Sequence, residues 1–368
     1  MTDISEDKLV VAPGGVRPAS TVTHVQPGEA VEVGAAGPRV TPDLVLTPGG
    51  FKSRANVHLV AEGHSVAHVD RQVQLLDAKE NVLARVDLKV VPEDLVTPAF
   101  GTGWITYSGW TNRTGTPISS FVTTWTVPRA PRTNHSQTIF LFNGIEPSDF
   151  SHILQPVLQW GPSAAGGGAY WTVASWYVGG GNAFHTNLIR VNEGDVLVGV
   201  MTLNSRSGNN FNYSSSFSGI ANTTLNITNN PELTWASETL EAYGITACSD
   251  YPATDTTPMT QINVRAGTTA PALNWSVNNA IRDCGQKTVI ALDGSTNGEV
   301  ELSYRGEAGW ARNDLTAAAG GAPLAAGDPA GYTWDVDKTQ HNVYRGFDNH
   351  VHELWFNNAW HHNDLTAA

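Results

Sequence analysis

The sequence predicts an all-β protein built around a two-sheet sandwich or barrel. Three observations carry this. Short β-branched and aromatic runs recur between Gly, Pro, Asn and Ser turn signals from Trp104 to about Tyr304, as successive short strands require. No segment in that stretch combines a 3.6-residue apolar period with helix caps. Hydrophobic residues make up 40% of the 368, enough for real cores, which excludes wholesale disorder.

In chain order, residues 1–45 are rich in Pro, Gly and Val without periodicity and read as an extended arm. Alternation begins near Asn56, with runs at Val57–Val60, Val73–Leu76 and Val82–Val86. Residues 46–100 therefore read as a small β-rich accessory or pro-region, closed by a linker from Pro92 to Gly103. Strands are expected at Phe121–Val127, Thr138–Phe142, Tyr170–Val178, Asn187–Val191 and Val196–Met201, within a sandwich domain spanning 101–304. The glycine runs 166–168 and 179–181 bound the long aromatic strand as hairpin ends.

Residues 305–368 belong to a repeat. Tyr304-Arg305-Gly306 leads to Asn313-Asp314-Leu315-Thr316, and Tyr344-Arg345-Gly346 leads to Asn363-Asp364-Leu365-Thr366. A period of this size fits a propeller blade. One copy and a partial one cannot close a ring, so a truncated, propeller-like segment is expected. No oligomeric state is assigned.

The charge balance is 21 Lys+Arg against 34 Asp+Glu, a net charge of -13. With no basic run, nucleic acid and anionic membrane are excluded as expected partners. No stretch approaches about 18 consecutive apolar residues, so no membrane span is expected. Residues 101–300 hold only 8 basic and 12 acidic residues. Such a domain has few ion pairs to lose in acid, which suits work outside the cell or at low pH. The polar, acidic start shows no signal peptide. Six Asn-x-Ser/Thr sequons, from Asn112 to Asn274, add weak support for an extracellular location. Cys248 and Cys284, the only cysteines, permit a disulfide; two buried thiols are the competing reading.

Ionisable groups in the middle domain are scarce enough to weigh singly. Glu238 and Glu241 sit in one short segment. As strand residues three apart they face opposite sides, so only one can line a groove. Gln155 and Gln159 share a strand face, and Pro156 between them demands an edge, a bulge or a bend. Trp110, Trp160, Trp171, Trp176 and Tyr177 are candidates for a substrate-binding aromatic face, with core packing as the alternative. There is no HExxH, CxxC or GxSxG. The late histidines His341, His350, His352, His361 and His362 lack the cysteines of a zinc cluster. No metal and no cofactor are expected.

Trp110, Thr124-Trp125-Thr126-Val127-Pro128, Gly144-Ile145-Glu146, Ile153-Leu154-Gln155, the strand Trp171–Tyr177, Glu193-Gly194-Asp195 and Ala236–Glu241 occur in an order that resembles the glutamic peptidases of the eqolisin family. The resemblance covers residues 104–245 and, more loosely, to about 300. It implies a concanavalin-like two-sheet antiparallel sandwich and an acid-active endopeptidase with a Gln/Glu dyad. Gln155 takes the place of the dyad glutamine, with Glu241 or Glu238 as its partner. Residues 1–100 would then be an inhibitory pro-segment. The C-terminal repeat resembles blades of lectin-like propellers. The expected function is hydrolysis of a polypeptide substrate. The alternative is noncatalytic binding of a glycan on the same scaffold.

Overall fold

The computed structural model describes residues 9–12, 15–18, 29–34, 37–42, 44–70, 72–87, 103–305, 315–334, 339–357 and 359–367. They fall into two compact units, Met1–Gly306 and Glu307–Ala368. The first is a β-sandwich. One sheet has ten strands, in the order Val82–Asp87, Gln72–Leu76, Ser65–Val69, Leu225–Asn230, Asn210–Phe217, Val196–Ser207, Ile118–Thr126, Thr256–Ala266, Gly298–Ser303 and Lys287–Leu292. The other runs Ser276–Asn279, Gly103–Thr111, Trp235–Tyr243, Thr138–Glu146, His152–Ser163, Gly166–Gly179, Asn182–His185 and Val57–Leu59, with Ile189–Arg190 paired to the aromatic strand.

The main core lies between the sheets. Phe121, Trp125, Leu197, Met201, Tyr213 and Phe217 come from one side; Ile139, Leu141, Leu158, Val173, Tyr177 and Leu240 come from the other. The ten-stranded sheet shows the alternation this requires. In Asn210–Phe217 every second residue is buried, so its outer face meets water. The nine-stranded sheet does not alternate. All of Thr138–Glu146 and nearly all of His152–Ser163 are buried, so its outer face is covered as well. A second cluster, with Phe140, Phe142, Val157, Ala174, Trp176 and Tyr243, lies on that outer face.

The N-terminal residues are woven into this architecture. Val57–Leu59 pairs in parallel with Asn182–His185, and Ser65–Val69 pairs in parallel with Leu225–Asn230. Each join is made where a sheet edge would otherwise expose unpaired N–H and C=O groups. The expected extended arm instead contains two hairpins, Leu9–Ala12 with Gly15–Pro18 and Glu29–Gly34 with Gly37–Pro42. Most of the expected linker lies outside the described residues.

Pro156 is a correction to the sequence reading. It stands in a central strand, opposite Ser175. The register with Thr138–Glu146 skips this point between Phe142↔Val157 and Ile145↔Leu154. The Ser175 carbonyl accepts instead from the Thr186 N–H at 3.0 Å, and the Ser175 N–H donates to Thr186 Oγ1 at 3.0 Å. Both Ser175 backbone groups thus point away from Pro156, whose missing donor falls on the side of Asn143, where the ladder has no pair.

Cys248 and Cys284 form a disulfide, Cα atoms 5.4 Å apart. In the second unit a four-stranded antiparallel meander, Ala330–Trp334, Thr339–Arg345, Val351–Phe356 and Trp360–Asp364, follows one helical turn at Leu315–Ala318. Its small core is Ala322, Tyr344 and Leu354. Trp310 to Asp314 of the first repeat copy lie outside the described residues.

Candidate active site

Register assigns each sequence candidate to a face. Phe140 stands opposite both Glu241 and Gln159, and Phe142 opposite Thr239 and Val157. Side chains two apart on a strand share a face. Gln155, Val157, Gln159, Ser237, Thr239, Glu241 and Tyr243 are therefore all on the outer face. Gly144 pairs with Ser237, and the same register continues to Gln155 on its other side. Glycine keeps that slot open: a Cβ on Gly144 would lie 2.7 Å from Ile153 Cδ1.

Glu238 points the other way, into the sandwich. It is fully buried and pairs with Asn143 and Ser108 in neighbouring strands. Thr123 of the opposite sheet donates to its Oε1 at 2.6 Å. Its Oε2 has no hydrogen-bond partner among the described residues. Burial raises its pKa well above the usual carboxylate range, with the Thr123 bond opposing weakly.

Glu241 is held on the outer face. Tyr243 Oη donates to its Oε1 at 2.5 Å, and the Gly49 N–H donates to the same oxygen at 2.8 Å. Gly49 lies at the tip of the hairpin Leu44–Thr47/Gly50–Ser53. A Cβ there would be 3.4 Å from Val178 Cγ1, and its φ of 80° suits glycine. The tip thus touches Glu241 on one side and Val178 on the other. The Gln155–Trp176 pair lies next to the Ile153–Val178 pair. Leu46 packs on the outer cluster and its carbonyl accepts from the Ala164 N–H at 2.7 Å. The face that carries Gln155 and Glu241 is covered by an extended piece of the chain itself.

Gln155 is 1% exposed, and neither Oε1 nor Nε2 has a hydrogen-bond partner among the described residues. It therefore bonds to neither glutamate. A buried, unpaired amide costs about 1–3 kcal/mol. Gln159, by contrast, is satisfied: its Nε2 donates to the Gly161 and Gly166 carbonyls and its Oε1 accepts from Ser163. It fastens the glycine turn.

The five aromatic residues proposed for a binding face are buried. Trp110, Trp160, Trp171, Trp176 and Tyr177 present almost no surface. Trp160, Trp171 and Tyr177 turn inward to the sandwich core. Tyr177 Oη is bonded to His68 Nε2 and donates to Asn230 Oδ1 at 3.2 Å. Burial lowers His68 to about 4. It lowers the adjacent His152 to about 3, with the His68 charge adding to the effect.

The aromatic residues that do reach solvent beside the site are ones the sequence reading passed over. Trp104 stacks on Trp235 with centroids 6.1 Å apart and meets Phe142 edge-on at 5.7 Å. Tyr107 and Phe150 each meet Trp235 edge-on, at 5.9 and 5.3 Å. Alternation within Trp235–Tyr243 could have found Trp235, but Trp104 and Tyr107, three apart, share its face only because the strand bulges between Trp104 and Thr106. Phe150 sits in a loop, where no periodicity marks it.

Among the described residues no group of three or more His, Cys, Asp or Glu is placed to hold a metal ion. No helix among them is long and apolar enough to cross a membrane.

Neither a protein-family model nor a curated protein matches the chain. Solved structures similar to it include two peptidases. One is a Scytalido-glutamic peptidase with a peptide-based transition state analog, at 17% identity and a TM-score of 0.36. The other is SCP-B, a member of the eqolisin family of peptidases, in a complex with the tripeptide Ala-Ile-His, at 16% identity and 0.33. Each match covers 55% of this chain and all of the other.

Proposed function

We propose that the protein takes an extended polypeptide across the face shared by Gln155 and Glu241 and hydrolyses it in acid. The observation that carries this is the hydrogen bond from the Gly49 N–H to Glu241 Oε1. It is a peptide group seated against the candidate carboxylate, on the face that holds an unsatisfied amide. The motif order from Trp110 to Glu241 supports the same reading.

In the reaction, Glu241 removes a proton from a water as the water oxygen bonds to the scissile carbonyl carbon. The carbonyl π electrons move to oxygen, and the Gln155 Nε2–H donates to that oxyanion. As the C–N bond breaks, its electron pair leaves with nitrogen, which takes the proton back from Glu241. The base must be ionised while the leaving amine is protonated, so an acidic optimum follows. Work in acid and the disulfide fit an extracellular protein.

The test is digestion of reduced, carboxymethylated α-lactalbumin across pH 2–7 by wild type and Gln155→Met. Acid cleavage that is lost in the variant is expected. Equal cleavage by both, or none by wild type, overturns the reading.

Carbohydrate binding is a second reading, favoured by one feature of the C-terminal unit. Tyr332 and Trp334 are 43% and 52% exposed on its sheet, beside Glu353, which accepts from Tyr332 Oη and Asn363 Nδ2. Exposed rings next to fixed polar groups can seat a sugar. Binding on a glycan array that disappears in Trp334→Ala would support it.

A further inference from the structure

The geometry points to a recognition site for an aromatic side chain of the bound polypeptide, built from Trp104, Tyr107, Phe150 and Trp235. It deepens the polypeptide reading above and rests on it. Trp235 shares the outer face with Ser237 and Glu241 by strand alternation. Tyr107 pairs with Thr239 and Trp104 with Glu241, so the rings flank the candidate carboxylate. Phe142, against which Trp104 packs, pairs with Val157, two residues from Gln155.

Three features distinguish this cluster from ordinary packing. First, its rings are only partly covered, whereas the other large rings of the same face are buried; Phe150 is 54% exposed. Second, Phe150 has φ of 54°. A bulky residue pays about 1–3 kcal/mol to sit in the left-handed region. The turn bond from the Phe150 N–H to the Pro147 carbonyl, 3.1 Å, sets this conformation, and the result is a ring held against Trp235 at the rim. Third, room is made for Trp235. A Cβ on Gly109 would stand 2.4 Å from its Cζ2.

The chain itself supplies a template for the occupant. Phe51, on the hairpin that lies over this face, meets Tyr243 edge-on at 5.9 Å. An extended segment thus already delivers an aromatic side chain to one aromatic of the face. The open cluster offers the same edge-to-face contacts to a Phe, Tyr or Trp of an incoming peptide.

The experiment compares two fluorescent, end-blocked decapeptides, identical except for Phe or Ala at the centre, binding to the full chain at pH 6. Burying a Phe ring is worth about tenfold or more in affinity. Wild type should show that preference. Trp235→Ala and Phe150→Gly should each reduce it to about twofold or less. Phe150→Gly should melt no lower than wild type, because glycine relieves the backbone strain. A preference retained in Phe150→Gly, or equal binding of both peptides by wild type, overturns this site while leaving the polypeptide reading standing. Binding of neither peptide overturns both.

Discussion

The Gly49 N–H donates to Glu241 Oε1 across 2.8 Å, although the two residues are 192 apart in sequence. A turn of the chain thereby occupies the face on which the chemistry is proposed. Gly49→Val tests this. It puts a β-branched side chain at φ of 80° and into Val178, so the tip should lift. Digestion of the unfolded substrate should rise severalfold over wild type. Unchanged digestion with an unchanged melting temperature would mean the tip does not obstruct the face.

Gln155→Met should separate stability from function. Methionine fills a similar volume without an unpaired amide, so the variant should be more stable by roughly 1–3 kcal/mol, read from urea denaturation. A less stable variant would show that the amide is satisfied in solution.

Glu238 and His68 give opposite pH dependences. The folded pKa of Glu238 is raised by burial. Its stabilising contribution is therefore whole below the unfolded value near 4.5 and is lost as pH rises through the folded value. Glu238→Gln, which retains an acceptor for Thr123, should flatten the fall in melting temperature on the alkaline side. His68 is lowered by burial to about 4. The unfolded chain takes up a proton below about 6.5 while the folded one does not, so stability falls between about 6.5 and 4, by roughly 3 kcal/mol when complete. His68→Gln should remove that acid loss. Wild-type and variant melting curves from pH 3 to 9 check both signs.

The Cys248–Cys284 bridge closes 36 residues. Replacing both cysteines by serine should destabilise the sandwich by roughly 3–4 kcal/mol. An unchanged denaturation midpoint would contradict that.

Much of the sandwich was legible because alternation and turn residues are local signals. The expected strand Phe121–Val127 is found at Ile118–Thr126, starting three residues earlier and ending one earlier, and Thr138–Phe142 extends to Thr138–Glu146. The opposite facing of Glu238 and Glu241 also followed from the period of two. What could not be read were facts set by pairing across distance. Tyr177 and Trp171 carry the composition of a binding strand, but the second sheet covers them. Pro156 is central because its missing donor faces the gap in the ladder at Asn143 and Gly144. The hairpin at Gly49 falls in the stretch that reads as a small β-rich accessory or pro-region, and nothing local in Pro48-Gly49-Gly50 announces a contact with Glu241.

The most direct test of the proposed chemistry sets Glu241→Gln against Glu238→Gln, measuring cleavage of reduced, carboxymethylated α-lactalbumin at the acid optimum of the wild type. Glu241 faces the bound chain and Glu238 faces the core, so cleavage should be abolished in the first variant and retained in the second. Cleavage that survives Glu241→Gln, or is lost only in Glu238→Gln, would contradict the assignment of the outer face as the site of hydrolysis.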